Sequence, residues 1–255
     1  FYKHTPGKTN LRSFIDGLLE EARFFAQKDL PSLKTIYFGG GTPSMLSPTL
    51  LRTLFTGLRQ TFDFSSIEEI TLEANPATFT SRTAQFYQDL GVTRVSLGVQ
   101  SFLGKHLETL GREHSPMQAI TSVHLLREAS DLEVNIDLIF SIPSQSLLDW
   151  EDTLTQALAL QPEHLSAYNL TYEEDTAFFQ KFQSGDYKDD PDLNAEMFSL
   201  SQEILTTSGY EHYETSNYSL PGSRSRHNEG YWAGNDYLGL GPSAVSTLNR
   251  TRHQN

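Results

Sequence analysis

Short apolar segments alternate with longer amphipathic segments along the first two thirds of the chain. The amphipathic segments repeat apolar residues at steps of three and four positions, which predicts helices, and the short apolar segments are typical of buried strands. The predicted strands are 35–38, 69–73, 94–100, 134–140 and 164–171, and the predicted helices are 10–27, 48–59, 81–90, 105–110, 117–129 and 147–160. This alternation predicts an α/β fold in which helices cover a parallel sheet, either open or curled into a barrel.

The pattern changes after residue 171. Residues 172–192 are polar and predict a loop, and residues 193–207 predict a helix. From residue 210 onward the chain is rich in Tyr, Asn, Ser and Gly and predicts only short strands. We therefore expect one region over 1–171 and the start of a C-terminal α+β region over 172–255.

Composition narrows the class of protein. The 255 residues include 19 Lys+Arg and 32 Asp+Glu, a net charge of −13 that argues against nucleic-acid binding. Cysteine is absent, which excludes disulfides and thiolate metal ligands within these residues. The chain opens at Phe1 rather than at a methionine and reaches Asn255 without a terminating pattern. We expect it to be a piece of a longer protein.

The predicted strands carry polar residues on one face. A parallel strand that is covered on both faces is apolar nearly throughout, so polar positions in four strands indicate a wet interior. Ligands in barrel folds bind at the C-terminal ends of the strands, which predicts a site there. The alternative is a set of polar residues that hydrogen-bond to loops. The polar positions are Thr71, Glu73 and Asn75, then Ser96, Gly98 and Gln100, then Asn135 and Asp137, then Asn169 and Thr171.

Three other features are candidates for chemistry. Glycines 39–41 follow the first strand, and their amides suit a ligand such as a phosphate, although neither a Walker lysine nor G-x-G-x-x-G spacing is present. A tight turn is the alternative. Arg112 suits either a bidentate contact with a carboxylate or a surface ion pair. His227, near Tyr231 and Trp232, suits either a flat cofactor or a structural role.

Six motifs occur in order: TIYFGGGTPS at 35–44, TLEANP at 71–76, VSLGVQSF at 95–102, LGR at 110–112, NIDLIFSIP at 135–143 and RHNEGYW at 226–232. In this combination the chain resembles the radical S-adenosylmethionine proteins related to oxygen-independent coproporphyrinogen III oxidase. The pattern HNxxYW in the last motif is similar to that of the heme chaperone branch. The resemblance covers nearly the whole chain. It implies a partial (β/α)6 TIM-like barrel whose first strand and CxxxCxxC loop lie before Phe1.

The resemblance also implies three cofactors. S-adenosylmethionine would be contacted by Gly40, Gly41, Thr42, Glu73, Gln100, Arg112 and Asp137, with Thr171 a less secure backbone contact. Heme would be bound by His227, Asn228, Tyr231 and Trp232, with His227 as the axial ligand. A 4Fe–4S cluster would take its cysteine ligands from residues before Phe1, so no metal ligand is expected in this chain.

The implied function is that of a cytoplasmic heme chaperone, which binds heme and passes it to an acceptor protein. A homodimer and a weak membrane association through the acceptor are compatible with that role. The alternative is a coproporphyrinogen III oxidase (dehydrogenase), which oxidatively decarboxylates two propionates and typically has a further loop cysteine, CxxxCxxCxC. A third hypothesis is a barrel isomerase or lyase that holds phosphate at 39–41. One position departs from the family: Val245 stands where relatives commonly have a histidine in GLGPSAHS, so any role of that imidazole is absent.

Overall fold

The computed structural model describes residues 8–28, 30, 32–76, 78, 80–174 and 176–255, with the backbone alone for 8–10. Its helices are α1 Lys8–Ala26, α2 Pro48–Thr61, α3 Ser81–Asp89, α4 Gly104–Thr109, α5 Pro116–Ala129, α6 Leu147–Ala159, α7 Ala177–Gln183, α8 Pro191–Thr207 and α9 Arg226–Trp232. Its strands are β1 Thr35–Phe38, β2 Glu69–Ala74, β3 Arg94–Gln100, β4 Glu133–Phe140, β5 His164–Asn169, β6 Glu211–Glu214, β7 Asn217–Ser219, β8 Val245–Leu248 and β9 Thr251–Gln254.

Seven strands form one curled sheet in the order β1-β2-β3-β4-β5-β7-β6. The first five are parallel, and β7 and β6 extend the sheet in antiparallel pairing. Helices lie between the parallel strands in the chain, so the result is a half-barrel with its helices outside. This confirms the predicted α/β fold and partial TIM-like barrel. Strands β8 and β9 form a separate hairpin.

The main core lies between the sheet and the outer helices. Alternate positions of the central strands, such as Leu72, Leu97 and Ile136, are fully buried in it. Trp150 of α6 is also fully buried, and its Nε1 donates to Ser201 Oγ of α8 at 2.9 Å. Since these positions are apolar, the intervening positions of the same strands face the inside of the half-barrel.

A second, smaller core joins α1 to α2. Ile15, Leu19 and Ala22 of α1 are buried against Leu54 and Leu58 of α2. The spacing of these residues at three and four positions is the helical pattern seen in the sequence. Helix α1 therefore packs mainly on α2, and Phe38 of β1 borders the same core.

Most predicted boundaries agree with the structure within two residues, but two predictions were wrong. The predicted loop 172–192 contains helix α7, whose N-cap Thr176 accepts a hydrogen bond from Phe179 N, and the start of α8, capped by Asp190. The region from 210 onward contains helix α9 as well as short strands. Helices α7 and α9 have only seven residues each, too few for a repeated apolar stripe, so periodicity alone did not indicate them.

Candidate functional site

The inner face of the half-barrel is lined with polar side chains. They surround a small cavity of about 30 Å³ between strands β1–β5 and α9. Tyr37 of β1, Ser96 of β3, Asp137 of β4 and Ser166 of β5 line it, together with Asn228 of α9. The wet interior expected from the alternation of polar residues is therefore present.

Asp137 is half-buried in this interior, between Ser96 and Asn135. Ser96 Oγ donates to its Oδ2 at 2.9 Å, and Asn135 Nδ2 donates to its Oδ1 at 2.7 Å. Burial raises the pKa of Asp137, while these hydrogen bonds and the positive charge of Arg112 act to lower it. Burial in turn lowers the pKa of the Arg112 guanidinium. The charges of Asp137 and Arg112 therefore stabilise each other.

Glu73 connects the glycine turn to the sheet. The Tyr37 hydroxyl donates to Glu73 Oε1 at 2.8 Å, and Gly40 N donates to Oε2 at 3.2 Å. A Cβ at Gly39 would lie 2.5 Å from Cε1 of Tyr37 and 2.7 Å from Oε1 of Glu73, so only glycine fits there. Burial raises the pKa values of both Glu73 and Tyr37.

The outer side of the turn is open. Positions where a Cβ would sit on Gly40 and Gly41 have no other heavy atom within 4 Å, and Gly40 has a φ of +80°. Thr42 Oγ1 accepts a hydrogen bond from Asn75 Nδ2 at 3.4 Å, which ties the turn to the end of β2. A ligand is therefore able to approach the backbone of the turn without steric obstruction.

Gln100 ends β3 in an unusual backbone conformation. Its φ is +69°, which is rare for a residue with a side chain and costs about 1 kcal/mol or more. Its side-chain nitrogen would lie 3.1 Å from a Cβ at Gly98, and Asn75 Oδ1 would lie 3.3 Å from the same point. Strain of this kind is concentrated at functional sites, which supports Gln100 as a ligand contact.

The structure thus brings most of the predicted S-adenosylmethionine residues together at the C-terminal ends of β1–β4. Thr171 differs, because it is exposed and follows the end of β5 at Asn169. The predicted face of this strand was also wrong. Asn169 pairs in register with buried Phe140, and the inward positions of β5 are His164, Ser166 and Tyr168.

The HNxxYW motif lies on α9, at the opposite end of the strands. His227 Nδ1 is 2.8 Å from Oγ1 of Thr35, the first residue of β1. The imidazole stacks on Tyr37 with ring centroids 4.9 Å apart and meets the edge of Tyr231 at 5.0 Å. Burial lowers the pKa of His227, and the charge of Glu69 acts to raise it. The ring is therefore neutral at pH 7, and the contact with Thr35 leaves Nε2 as the nitrogen for a metal.

Buried charges hold α9 in place. Glu69, 4% exposed, accepts hydrogen bonds from Arg226 N at 2.9 Å and His227 N at 3.2 Å. Arg94, 3% exposed, lies 3.7 Å from Glu69 Oε2 and donates to Glu133 Oε2 and Ser223 O, each at 2.7 Å. The carboxylate of Glu69 therefore serves two roles, as a cap for α9 and as a counterion for Arg94.

The remaining motif residues differ in exposure. Asn228 lines the inner cavity, whereas Tyr231 and Trp232 are 44% and 48% exposed. Tyr231 packs against Tyr237, which forms a β-bridge with Thr247 of the C-terminal hairpin. Val245, the position that departs from the family, begins β8 of the same hairpin.

Tyr37, Glu69, Arg94, His164 and Ser166 are site residues that the sequence interpretation missed. Four of them share one sequence signal, a polar residue that begins or alternates within an apolar strand. Tyr37 gave no such signal, since aromatic residues are common in strands.

Two negative findings apply to the described residues. Within them no cluster of three or more His, Cys, Asp and Glu is arranged to hold a metal ion. No helix in the same part of the chain has the length and apolar character needed to cross a bilayer.

Comparison with known proteins gives a consistent picture. The family model described as Radical SAM superfamily matches residues 12–157. Heme chaperone HemW of Escherichia coli is 41% identical over 83% of this chain and 55% of its own length. HemW of Lactococcus lactis is 36% identical over 95% of this chain and 64% of its own length, and HemW of Bacillus subtilis is 35% identical over 100% and 68%. The chain thus spans between about half and two thirds of these relatives.

A solved structure supports the fold. Coproporphyrinogen III oxidase (HemN) from Escherichia coli superimposes with a TM-score of 0.84 over 98% of this chain and 61% of its own. At 24% sequence identity this likeness bears on the fold alone.

Proposed function

Because the chain belongs to the Radical SAM superfamily and, within it, to the heme chaperone HemW family, we propose that the whole protein binds heme and passes it to an acceptor protein. The observation that carries this proposal is the placement of the HNxxYW motif. Helix α9 presents a neutral, oriented His227 beside the exposed rings of Tyr231 and Trp232. A flat, apolar macrocycle with a central iron suits such a surface, with His227 Nε2 as the axial ligand. Asn228 lines the inner cavity and stays a predicted heme contact.

The residues at the opposite end of the strands fit S-adenosylmethionine. This molecule has an ammonium group, a carboxylate and a ribose diol. Glu73 and Asp137 supply carboxylates, Arg112 supplies a guanidinium, and the open turn at Gly40 and Gly41 gives access to backbone groups. Thr42 and Gln100 complete the set, and Thr171 remains a predicted backbone contact.

The iron–sulfur cluster requires ligands from elsewhere. The superfamily implies a 4Fe–4S cluster, but these 255 residues have no cysteine, so thiolates for it would have to come from outside them. When present together, the cluster and S-adenosylmethionine supply one-electron chemistry. The residues described above bind and orient the second of these groups.

The coproporphyrinogen oxidase alternative has weaker support. The likeness to HemN bears on the fold, whereas the names of several more similar relatives favour the chaperone. The phosphate-binding isomerase or lyase has no support from the family assignment. Cytoplasmic location, a homodimer and a weak membrane association through the acceptor stay predictions.

One pair of assays separates the chaperone from the oxidase. The full-length protein, reconstituted anaerobically with its cluster, is incubated with S-adenosylmethionine, a reductant and coproporphyrinogen III. We expect mass spectrometry to return the porphyrinogen unchanged, and we expect the heme-loaded protein to give up heme to an apo-hemoprotein. Loss of two carboxyl groups from the porphyrinogen would replace the proposal by the oxidase.

A further inference from the structure

A continuous chain of hydrogen bonds joins the base of α9 to Asp137. Ser225, the N-cap of α9, donates from its backbone N to the Tyr213 hydroxyl at 3.1 Å. The Tyr213 oxygen is 2.6 Å from His164 Nε2, and His164 Nδ1 is 2.6 Å from Asn135 Oδ1. The amide nitrogen of Asn135 then donates to Asp137 Oδ1 at 2.7 Å.

A second branch closes on the same carboxylate. Asn135 Nδ2 also donates to Ser96 Oγ at 2.7 Å, and Ser96 Oγ donates to Asp137 Oδ2 at 2.9 Å. Both oxygens of Asp137 are thus held by groups that Asn135 orients. A rotated Asn135 amide would turn its oxygen toward the carboxylate, which is repulsive.

The chemistry of the groups fixes the direction of every hydrogen. An amide oxygen only accepts, so His164 Nδ1 carries the proton and Nε2 accepts from the Tyr213 hydroxyl. His164 is 1% exposed, and burial with the nearby charge of Arg94 lowers its pKa to about 3, so the ring stays neutral. The two hydrogen bonds of His164 therefore impose the Nδ1–H tautomer, which is the less common form of a free imidazole.

We propose that His164 and Tyr213 are positioning residues for S-adenosylmethionine: they act through Asn135, which orients the Asp137 carboxylate. Tyr213 also connects this chain of hydrogen bonds to Ser225, the N-cap of α9. This inference rests on the proposed function in one respect, namely that Asp137 contacts S-adenosylmethionine. His164 begins β5 and Tyr213 lies on β6, so neither is at the C-terminal ends of β1–β4, where the candidate contacts are. Their effect on affinity is therefore indirect.

Two substitutions of His164 separate its hydrogen bond with Asn135 from its hydrogen bond with Tyr213. In His164→Asn the side-chain amide takes the place of Nδ1 and keeps the donor to Asn135. In His164→Gln the amide oxygen takes the place of Nε2 and keeps the acceptor for Tyr213, but the donor to Asn135 is lost. Each variant removes one of the two buried hydrogen bonds of His164, the one with Tyr213 in His164→Asn and the one with Asn135 in His164→Gln.

The readout is the affinity of the full-length, cluster-reconstituted protein for S-adenosylmethionine by isothermal titration. We expect His164→Asn to remain within about twofold of the wild type and His164→Gln to bind about tenfold more weakly, a difference of about 1.4 kcal/mol. Equal affinities in the two variants would overturn the proposal. An unchanged affinity in Asp137→Ala would instead overturn the assignment of Asp137, which keeps the two failures distinguishable.

A second measurement does not require either His164 variant to fold. Nitrogen chemical shifts of labelled imidazole in the cluster-free full-length protein report which nitrogen carries the proton. We expect His164 to have a protonated Nδ1 and a bare Nε2, and we expect Tyr213→Phe to change the Nε2 shift most. A protonated Nε2 would overturn the proposal, because the donor to Asn135 would then be missing.

Discussion

Asp137 is a carboxyl group whose surroundings act in opposite directions. Burial disfavours its charge, whereas Ser96, Asn135 and Arg112 favour it. Because burial is the largest of these effects, the pKa of Asp137 lies above its ordinary value of 3.8. A carboxyl group in such a place costs stability at neutral pH, which is typical of residues kept for binding.

This opposition predicts a pH-dependent gain in stability for Asp137→Asn. A raised pKa means that the folded protein holds the proton more tightly, so the group favours folding below pH 3.8 and this contribution is lost as the pH rises through the folded pKa. The side-chain amide of the asparagine variant does not titrate, so its contribution to stability does not fall as the pH rises. We expect urea unfolding to show a gain of about 1 kcal/mol at pH 7 that shrinks toward pH 4, with S-adenosylmethionine bound more weakly.

The matched control is Asp89→Asn, an exposed aspartate at the end of α3. It should change neither stability nor affinity. If Asp137→Asn were as stable as the wild type at pH 4 and clearly less stable at pH 7, the described balance of burial and hydrogen bonds would be wrong.

At the scale of elements, α9 is a short helix that is held by tertiary contacts. It has seven residues, too few for a stable isolated helix, and its first turn is bound to Glu69, a residue 157 positions earlier in the chain. Local periodicity does not report such a distant partner. For this reason the sequence indicated the motif residues as candidates, but it indicated neither their helix nor the position of that helix at the N-terminal ends of β1 and β2.

Removal of the Glu69 charge should release this helix. In Glu69→Gln the cap of α9 is weakened and buried Arg94 loses one of its two counterions among the described residues, keeping Glu133. We expect a loss of about 3 kcal/mol in the free energy of unfolding, the lower end for a broken buried ion pair. The amides of Arg226 and His227 should also exchange faster with deuterium.

Glu68→Gln is the control one residue away. Glu68 is exposed and pairs with Arg226 and Lys34 on the surface, where ion pairs contribute little. Equal losses of stability in the two variants would show that burial of Glu69 does not matter to the anchoring of α9.

At the scale of the whole molecule, the barrel was predictable and the C-terminal part was less so. Strands and helices up to residue 160 follow from alternation and helical period, since each buries one apolar face. The polar inner face, with Glu73 and Asp137, followed from the same alternation. The inward side of β5 did not, because His164, Ser166 and Tyr168 alternate with Leu165, Ala167 and Asn169, a weak contrast.

The division at residue 171 stays a prediction, and the sheet suggests how to test it. Strands β7 and β6 continue the sheet beyond β5, and α8 packs on α6 through Trp150. We expect one cooperative transition for the 255 residues on thermal unfolding, with near-UV and far-UV circular dichroism coincident. Two separated transitions would instead support independent regions over 1–171 and 172–255.

Heme titration of the full-length protein tests the central claim most directly. We expect wild-type protein to bind one heme with a Soret band of histidine-ligated iron that persists below pH 6.5, because burial lowers the pKa of His227 and protonation would remove the ligand. His227→Ala should lose that band and bind about tenfold more weakly. His124→Ala, a change of an exposed histidine on α5, should behave as wild type. An identical titration for His227→Ala and the wild type would contradict the account.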